Sequence, residues 1–256
     1  MDFGSVAELY DGIRPTYPPD LVAALAVAAR LGPGSRVLEI APGTGQLSVP
    51  LAGLDVDLTA VELDPRMAGV ARRRLAAFPR ARVEVSRFED WTPSTARTGR
   101  FELVVCATAF HWLDPAVRLA RCLDVLRPGG LLAVVGGVLL ADVDADPFGA
   151  RLQACITRWA SGTPGHPQEE QEIPVGAFDL GGDPRAEVLP AQRFLWGREY
   201  TPDGLAALFA TFSTVLALDG EHRDGLLACI RSAVAAQPGG TVVRRHLADL
   251  QLARRV

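Results

Sequence analysis

Apolar and polar positions along this chain follow two different periods in turn. Short apolar runs of strand length occur at Arg36 to Ala41, Val56 to Asp64, Arg82 to Phe88, Phe101 to Thr108 and Leu131 to Gly137. Between most of them the apolar residues recur every three or four positions, the spacing of a helix with one buried face. The punctuation supports this division. Pro18 and Pro19 precede an apolar-rich helix that stops at Gly32-Pro33-Gly34, and Asp64-Pro65 starts a helix running through Phe78. Asp114-Pro115 repeats that start, and Arg127-Pro128-Gly129-Gly130 ends the helix that follows. An acid before the first turn accepts N–H groups that have no partner inside the helix, and a proline just inside lacks the N–H that would go unbonded. Pro50 has to sit early in its own helix or bend it.

Five apolar strands separated mostly by amphipathic helices predict a doubly wound α/β architecture, a mostly parallel sheet with helices on both faces. Three regions are expected: an N-terminal cap segment over 1–30, the core over 31–140, and over 141–256 a substrate-side insertion with cap helices and closing strands of the same sheet. In the last region, Ala160 to Gly176 is polar and rich in proline and glycine, which predicts a loop or mobile flap. Helix patterns near Thr201 to Leu218 and Glu221 to Ala236 precede a closing strand within Thr241 to Arg255. No internal repeat is visible.

Composition narrows the function. At 256 residues and 48% hydrophobic content the chain can bury one large core with a smaller cap. The 26 bases against 30 acids leave a formal charge of −4, so no net positive field recruits phosphate backbones or anionic lipid, and neither nucleic acid nor membrane is an expected partner. Every base is arginine, which excludes mechanisms needing a side-chain Schiff base or a P-loop lysine. The codon usage of a GC-rich bacterial genome accounts for the missing lysine. Cys106, Cys122, Cys155 and Cys229 are widely spaced in apolar or helix-like contexts and read as buried thiols of a reducing compartment. The four histidines show no metal-ligand spacing, so no metal site is expected. The start lacks a basic leader, and the longest apolar run, Leu131 to Ala141, is too short to span a bilayer. A soluble cytoplasmic protein, monomer or homodimer, is the expectation.

The candidate chemistry lies at Gly43-Thr44-Gly45, between the first strand and the next helix. Glycine serves where backbone turns with positive φ or comes close to a ligand, and a helix starting there directs N–H groups at it. Glu62 closes the next strand about 20 residues on, where an acid accepts ribose hydroxyls. An adenosine-bearing ligand follows. A nicotinamide site would need a third glycine, but the frame from Gly43 reaches Ser48 instead, and Glu39 just before the turn would repel a pyrophosphate. The same acid suits a ligand that brings an ammonium and a sulfonium.

These residues resemble the class I S-adenosylmethionine-dependent methyltransferases, whose first motif reads acid, apolar, Gly-x-Gly-x-Gly. Here it stands as Glu39-Ile40-Ala41-Pro42-Gly43-Thr44-Gly45, with alanine at the first glycine position. The resemblance continues through Val61 to Asp64, Arg87 to Trp91, Phe101 to Pro115 and Val125 to Gly130, and covers about residues 1 to 140. Within the family it is nearest to small-molecule enzymes such as the trans-aconitate and quinone-pathway groups, through Ala7 to Leu21 and the Ala109-Phe110-His111-Trp112 segment.

The resemblance implies a Rossmann-like seven-stranded sheet and S-adenosylmethionine as cofactor, with S-adenosylhomocysteine as product. It implies that the backbone of Ala41, Gly43 and Gly45 curves around the methionine moiety, that Glu62 takes the ribose hydroxyls, and that Leu63 lies against the adenine. Where many relatives place an adenine-binding acid this chain has Arg87 and Phe88, which leaves the ring or backbone of Phe88, with Glu89 nearby. Ala107 and Thr108 are expected beneath the sulfonium and methyl. Tyr10, Arg14 and Tyr17 either fold over the site, Tyr17 on the acceptor side, or anchor an N-terminal helix.

Methyl transfer is an in-line displacement in which the protein aligns the nucleophile and excludes water. A proton-bearing acceptor needs a base in addition. His111 is the candidate, either as general base or as a loop histidine that positions the site beside Trp112. Trp112, Trp196 and Tyr200 are expected to line the acceptor pocket, whereas Phe209 and Phe212 fit a buried helix stripe. The segment after the fourth strand lacks the Asn/Asp-Pro-Pro-Tyr signature of amino-methylating nucleic-acid enzymes. The expected reaction is methylation of a small organic acceptor in bacterial specialised metabolism; the alternative is a non-methylating reaction such as cyclisation on the same fold.

Overall fold

The computed structural model describes residues 2–93, 101–140, 147–160 and 173–256. Its centre is a seven-stranded, mostly parallel sheet in the order β3-β2-β1-β4-β5-β7-β6. The strands are β1 (Arg36–Ile40), β2 (Asp57–Glu62), β3 (Ala81–Val85), β4 (Phe101–Ala107), β5 (Leu126–Leu139), β6 (Ala186–Tyr200) and β7 (Val242–Arg255). The helices are α1 (Ala7–Ile13), α2 (Pro19–Ala29), α3 (Ser48–Ala52), α4 (Pro65–Arg74), α5 (Arg118–Val125), α6 (Pro147–Trp159), α7 (Pro202–Ala210), α8 (Ser213–Leu216) and α9 (Gly220–Ala235).

Local chemistry explains most boundaries. Asp64 caps α4 by accepting from the N–H of Arg66 at 2.8 Å and Met67 at 3.4 Å, and Arg72, Arg73 and Arg74 close it, cations at the negative end of the helix dipole. Pro50 occupies the third position of α3, inside the first turn, so it costs no intrahelical bond. The parallel register sets Ile40 beside both Val61 and Cys106, which brings the carboxyl ends of β1, β2 and β4 to one edge. The strand order reverses between β1 and β4, and a crevice for ligands opens outside the carboxyl ends at such a switch point.

The chain divides into two compact units. The larger comprises Pro15–Gly137, Val175–Phe194 and Ala248–Val256. Its core packs Leu38, Ile40, Val104, Cys106, Phe110, Leu123 and Leu132 between sheet and helices. The smaller comprises Met1–Arg14, Val138–Pro174 and Leu195–Leu247. Its core is built from α6, α7 and α9, with Phe148, Leu205, Leu208 and Ile230 fully or almost fully buried, each worth roughly 1.5–3 kcal/mol of transfer free energy. Phe209 and Phe212 pack there, as their helical spacing predicts.

Three sequence expectations need correction. Cys155 on α6 and Cys229 on α9 form a disulfide, with Cα atoms 5.7 Å apart, so two of the four cysteines are not thiols. Cys106 and Cys122 are buried thiols, whose pKa burial pushes well above the ordinary range. Second, Arg127 to Gly130 does not separate helix from strand: β5 already begins at Leu126, with Gly129 at φ +75° and a register irregularity against β4. Third, β6 escaped the pattern. It carries Pro190 and Gly197, its residues are mostly half-exposed or exposed, and it sits at the end of the sheet, where one edge has no partner strand to demand a strict alternation. The expected flap over Ala160 to Gly176 falls largely on 161–172, outside the described residues. Among the described residues no helix is long and apolar enough to cross a membrane, and no three His, Cys, Asp or Glu side chains group as a metal site.

Candidate functional site

The turn after β1 has the backbone of a ligand cradle. Ala41, Gly43 and Gly45 have φ of +51°, +62° and +95°. Glycine accepts this region freely, while alanine there costs on the order of 1–2 kcal/mol. Ala41 is held by the surrounding bonds: its N–H donates to the Val61 carbonyl at 2.9 Å, continuing the β1–β2 ladder one residue past the strand.

Two acids flank the turn. Glu39, 1% exposed, accepts from the Ser48 hydroxyl at 2.5 Å. Burial, opposed by the Ser48 bond and aided by the Glu62 charge, raises its carboxyl to about 7, so near neutrality it is close to half protonated. A cationic ligand group would draw the proton off; a diphosphate would keep it on. Glu62, 7% exposed, accepts the N–H of Gly43 through Oε2 and that of Asp64 through Oε1, each at 2.9 Å. Burial raises its pKa against the pull of these bonds. The Leu63 N–H is a third backbone partner of the carboxylate, which leaves about one of its roughly four acceptor positions for a further donor. Leu63, next to it, is 63% exposed and offers an apolar face.

After β3, the Phe88 ring is 4% exposed and lies in the core beneath the Arg121 guanidinium, which leaves its backbone for a ligand. The Glu89 carboxylate is engaged: Oε1 accepts the Asp114 N–H at 2.9 Å and Oε2 faces Arg87 at 3.7 Å. Against the upward push of burial these partners hold its pKa below the usual carboxylate value.

At the end of β4, Ala107 pairs with Val135 and Thr108 takes φ +55°, a strained value for a β-branched residue. A Cβ at Gly137 would stand 2.7 Å from the Thr108 methyl, so glycine at 137 makes room for that side chain. Beyond it a 3-10 turn, Phe110–Trp112, anchors Phe110 in the core and leaves His111 and Trp112 exposed, their rings 4.8 Å apart. Partial burial and the Arg118 charge lower the pKa of His111, so the imidazole is neutral at physiological pH and can accept a proton.

The larger unit therefore gathers Glu39, Ala41, Gly43, Gly45, Glu62, Leu63, Phe88, Glu89, Ala107, Thr108, His111 and Trp112 around the carboxyl ends of β1 to β4, and also contains the half-buried Tyr17. Tyr10, Arg14, Trp196 and Tyr200 belong to the smaller unit. There Arg14 donates to the Thr211 hydroxyl at 2.8 Å and carbonyl at 2.9 Å, between the rings of Tyr10 (4.8 Å) and Phe212 (4.7 Å). The Tyr200 hydroxyl meets His246 Nε2 at 2.9 Å, and Trp196 stacks on the same imidazole at 5.3 Å. Burial and the arginines 198, 244 and 14 lower His246 to about 4.

Sequence reasoning missed Ser48, Gly137, Arg118 and His246. Ser48 carried a signal: Gln46 and Ser48 are polar positions at the start of a helix that must bury most of its first turn, and both are buried. The other three depend on partners far along the chain.

Residues 37–130 match the model of a family described as a methyltransferase domain. An uncharacterised methyltransferase of Mycobacterium tuberculosis is 35% identical over 135 residues, 53% of this chain and 51% of that protein. A ubiquinone biosynthesis O-methyltransferase of Xanthomonas campestris is 36% identical over 109 residues, 41% of this chain and 45% of that one. The chain thus spans about half the length of the curated relatives it matches. Among solved structures, a candidate type II methyltransferase from Anaeromyxobacter dehalogenans aligns with TM-score 0.65 at 23% identity, over 94% of this chain and 97% of that one. The [4+2]-cyclase SpnF aligns with TM-score 0.54 at 17% identity, over 92% and 80%. Likeness at such identities concerns the fold.

Proposed function

We infer, from the premise that the domain this chain carries belongs to the class I S-adenosylmethionine-dependent methyltransferases, that the protein methylates a small organic acceptor. The observation that carries this reading is the pair of buried acids, Glu39 and Glu62, on either side of a turn whose residues 41, 43 and 45 all have positive φ. The turn brings backbone close to the ligand, Glu62 accepts the ribose hydroxyls, and Glu39 supports the ammonium of the amino-acid end. When bound, S-adenosylmethionine supplies an electrophilic methyl on a sulfonium, and its departure leaves a neutral thioether. Thr108 and Ala107 form the floor at the end of β4, and His111 takes the proton of a protic acceptor, its pKa already low enough to leave it free at neutral pH. Trp112 offers an exposed aromatic face to the acceptor. Tyr17, in the same unit, is proposed to complete the acceptor side. The all-arginine composition supports a role in the metabolism of a GC-rich bacterium.

Titration calorimetry with S-adenosylhomocysteine, S-adenosylmethionine and NADH tests the cofactor: heat with the first two and none with the third is expected, and binding of NADH alone would overturn the reading. A second reading is cyclisation without methyl transfer, a reaction that the same fold carries in a [4+2]-cyclase. Formation of S-adenosylhomocysteine in step with acceptor consumption supports methylation; turnover without it supports the second reading.

A further inference from the structure

His111 and Trp112 project from a turn beside Phe110, which is held by side chains from two other segments. The Phe110 ring is 2% exposed and meets Phe178 edge-on at 5.2 Å. Arg118, at the start of α5, reaches back over both: its guanidinium carbon lies 4.6 Å from the centre of the Phe110 ring and 5.5 Å from that of Phe178. Its Nη1 donates to the Phe110 carbonyl at 2.8 Å. A planar guanidinium can stack on aromatic faces and donate in its own plane at once, which a lysine ammonium cannot.

Phe178 is pinned in turn. Its N–H donates to Oε1 of Gln251 at 3.0 Å, and the N–H of Gly176 donates to Oδ2 of Asp249 at 3.3 Å; both acceptors are buried on β7. The far end of the turn is tied by the Asp114 N–H to Glu89.

We propose that Arg118 is a positioning residue: by packing its guanidinium against the Phe110 and Phe178 rings while donating to the Phe110 carbonyl, it sets the direction in which the next side chain, His111, points. Its bearing on methyl transfer rests on the reading above; its bearing on His111 does not. Beside partial burial, the charge of Arg118 lowers the affinity of the imidazole for a proton. Glu89 and Asp114 accept the N–H groups of Asp114 and Ala116, and the influences on the imidazole are burial and the Arg118 charge.

The test is an NMR titration of the His111 imidazole in the ligand-free protein, in wild type, Arg118→Met and Arg118→Lys. Arg118→Met should raise the titration midpoint and shift the amide signals of residues 110–112. Arg118→Lys should restore the midpoint, through its charge, but not the amide signals. A folded Arg118→Met protein with midpoint and signals unchanged overturns the proposal. Should that variant not fold, Arg118→Gln, which keeps a donor for the carbonyl, is read in the same way for the midpoint. In a turnover assay both the methionine and lysine variants should lose more than tenfold in kcat with S-adenosylhomocysteine affinity unchanged. Turnover without any methyl transfer, beside a normal His111 response, would count against the methyltransferase reading and not against Arg118.

Discussion

Glu62 and Gly43 are joined directly: the carboxylate at the end of β2 accepts the N–H of the middle residue of the glycine turn at 2.9 Å. The same side chain that is proposed to receive the ribose therefore also shapes the cradle under the amino-acid end. Glu62→Ala leaves that N–H without its partner, at a cost of about 1–3 kcal/mol, and should weaken S-adenosylhomocysteine by at least about tenfold. Urea unfolding and calorimetry measure the two effects. An unchanged affinity in a folded variant would remove Glu62 from the site.

Ala41 stands at φ +51°, in a conformation that glycine adopts without strain. Ala41→Gly relieves about 1–2 kcal/mol of strain and gives back part of it through the freer unfolded chain, about 0.4–1 kcal/mol. A net gain of up to about 1.6 kcal/mol is expected, read as a higher melting temperature. Gly43→Ala, at φ +62°, should do the opposite. A destabilised Ala41→Gly would mean that the methyl group packs more usefully than the strain costs.

Glu39 predicts an unusual pH dependence. Its folded pKa of about 7 lies above the unfolded value of 4.5, so between those values the native state holds more protons than the unfolded one. Its contribution to stability is therefore most favourable below pH 4.5 and falls as pH rises to about 7. Glu39→Gln removes this slope, and the stability of the variant relative to wild type should rise from pH 5 to 8. In wild type, a ligand ammonium placed at Glu39 should expel the proton: below about pH 7, binding of S-adenosylhomocysteine should release protons, seen as a dependence of the calorimetric heat on buffer ionisation enthalpy. Heats identical across buffers at pH 6 would contradict this.

Cys155 and Cys229 close a loop across 74 residues between α6 and α9. Reduction should lower stability by about 2–4 kcal/mol, and Cys229→Ser should reproduce the loss. Thiol counting in denaturant should find two thiols before reduction and four after, since Cys106 and Cys122 are free. Four thiols in protein kept oxidised throughout would refute the pairing.

Much of the larger unit could be read from short-range pattern. Asp64-Pro65 starts α4, the apolar runs at 36–41 and 101–108 become β1 and β4, and the acid–turn–acid spacing of Glu39, Gly43 and Glu62 lands at one sheet edge. Parallel strands buried on both faces must be apolar throughout, and a left-handed turn favours glycine, so these features leave a local trace. Even Ala41, which departs from that preference, was marked by its position in the motif.

What no local pattern contained were relationships between distant residues. Arg14 is tied to Thr211, Tyr200 to His246, Phe178 to Phe110 and Cys155 to Cys229, and β6 became a strand only because β7 was there to pair with it. A side chain such as Arg118 is equally compatible with a solvated helix face until the fold puts two rings and a carbonyl beside it. Chain chemistry alone specified which backbone segments turn, extend or coil, because those preferences act over a few residues. Packing selected the partners of each polar and sulfur-bearing group, because burial removes water and leaves only those protein atoms that the tertiary arrangement happens to bring within bonding distance.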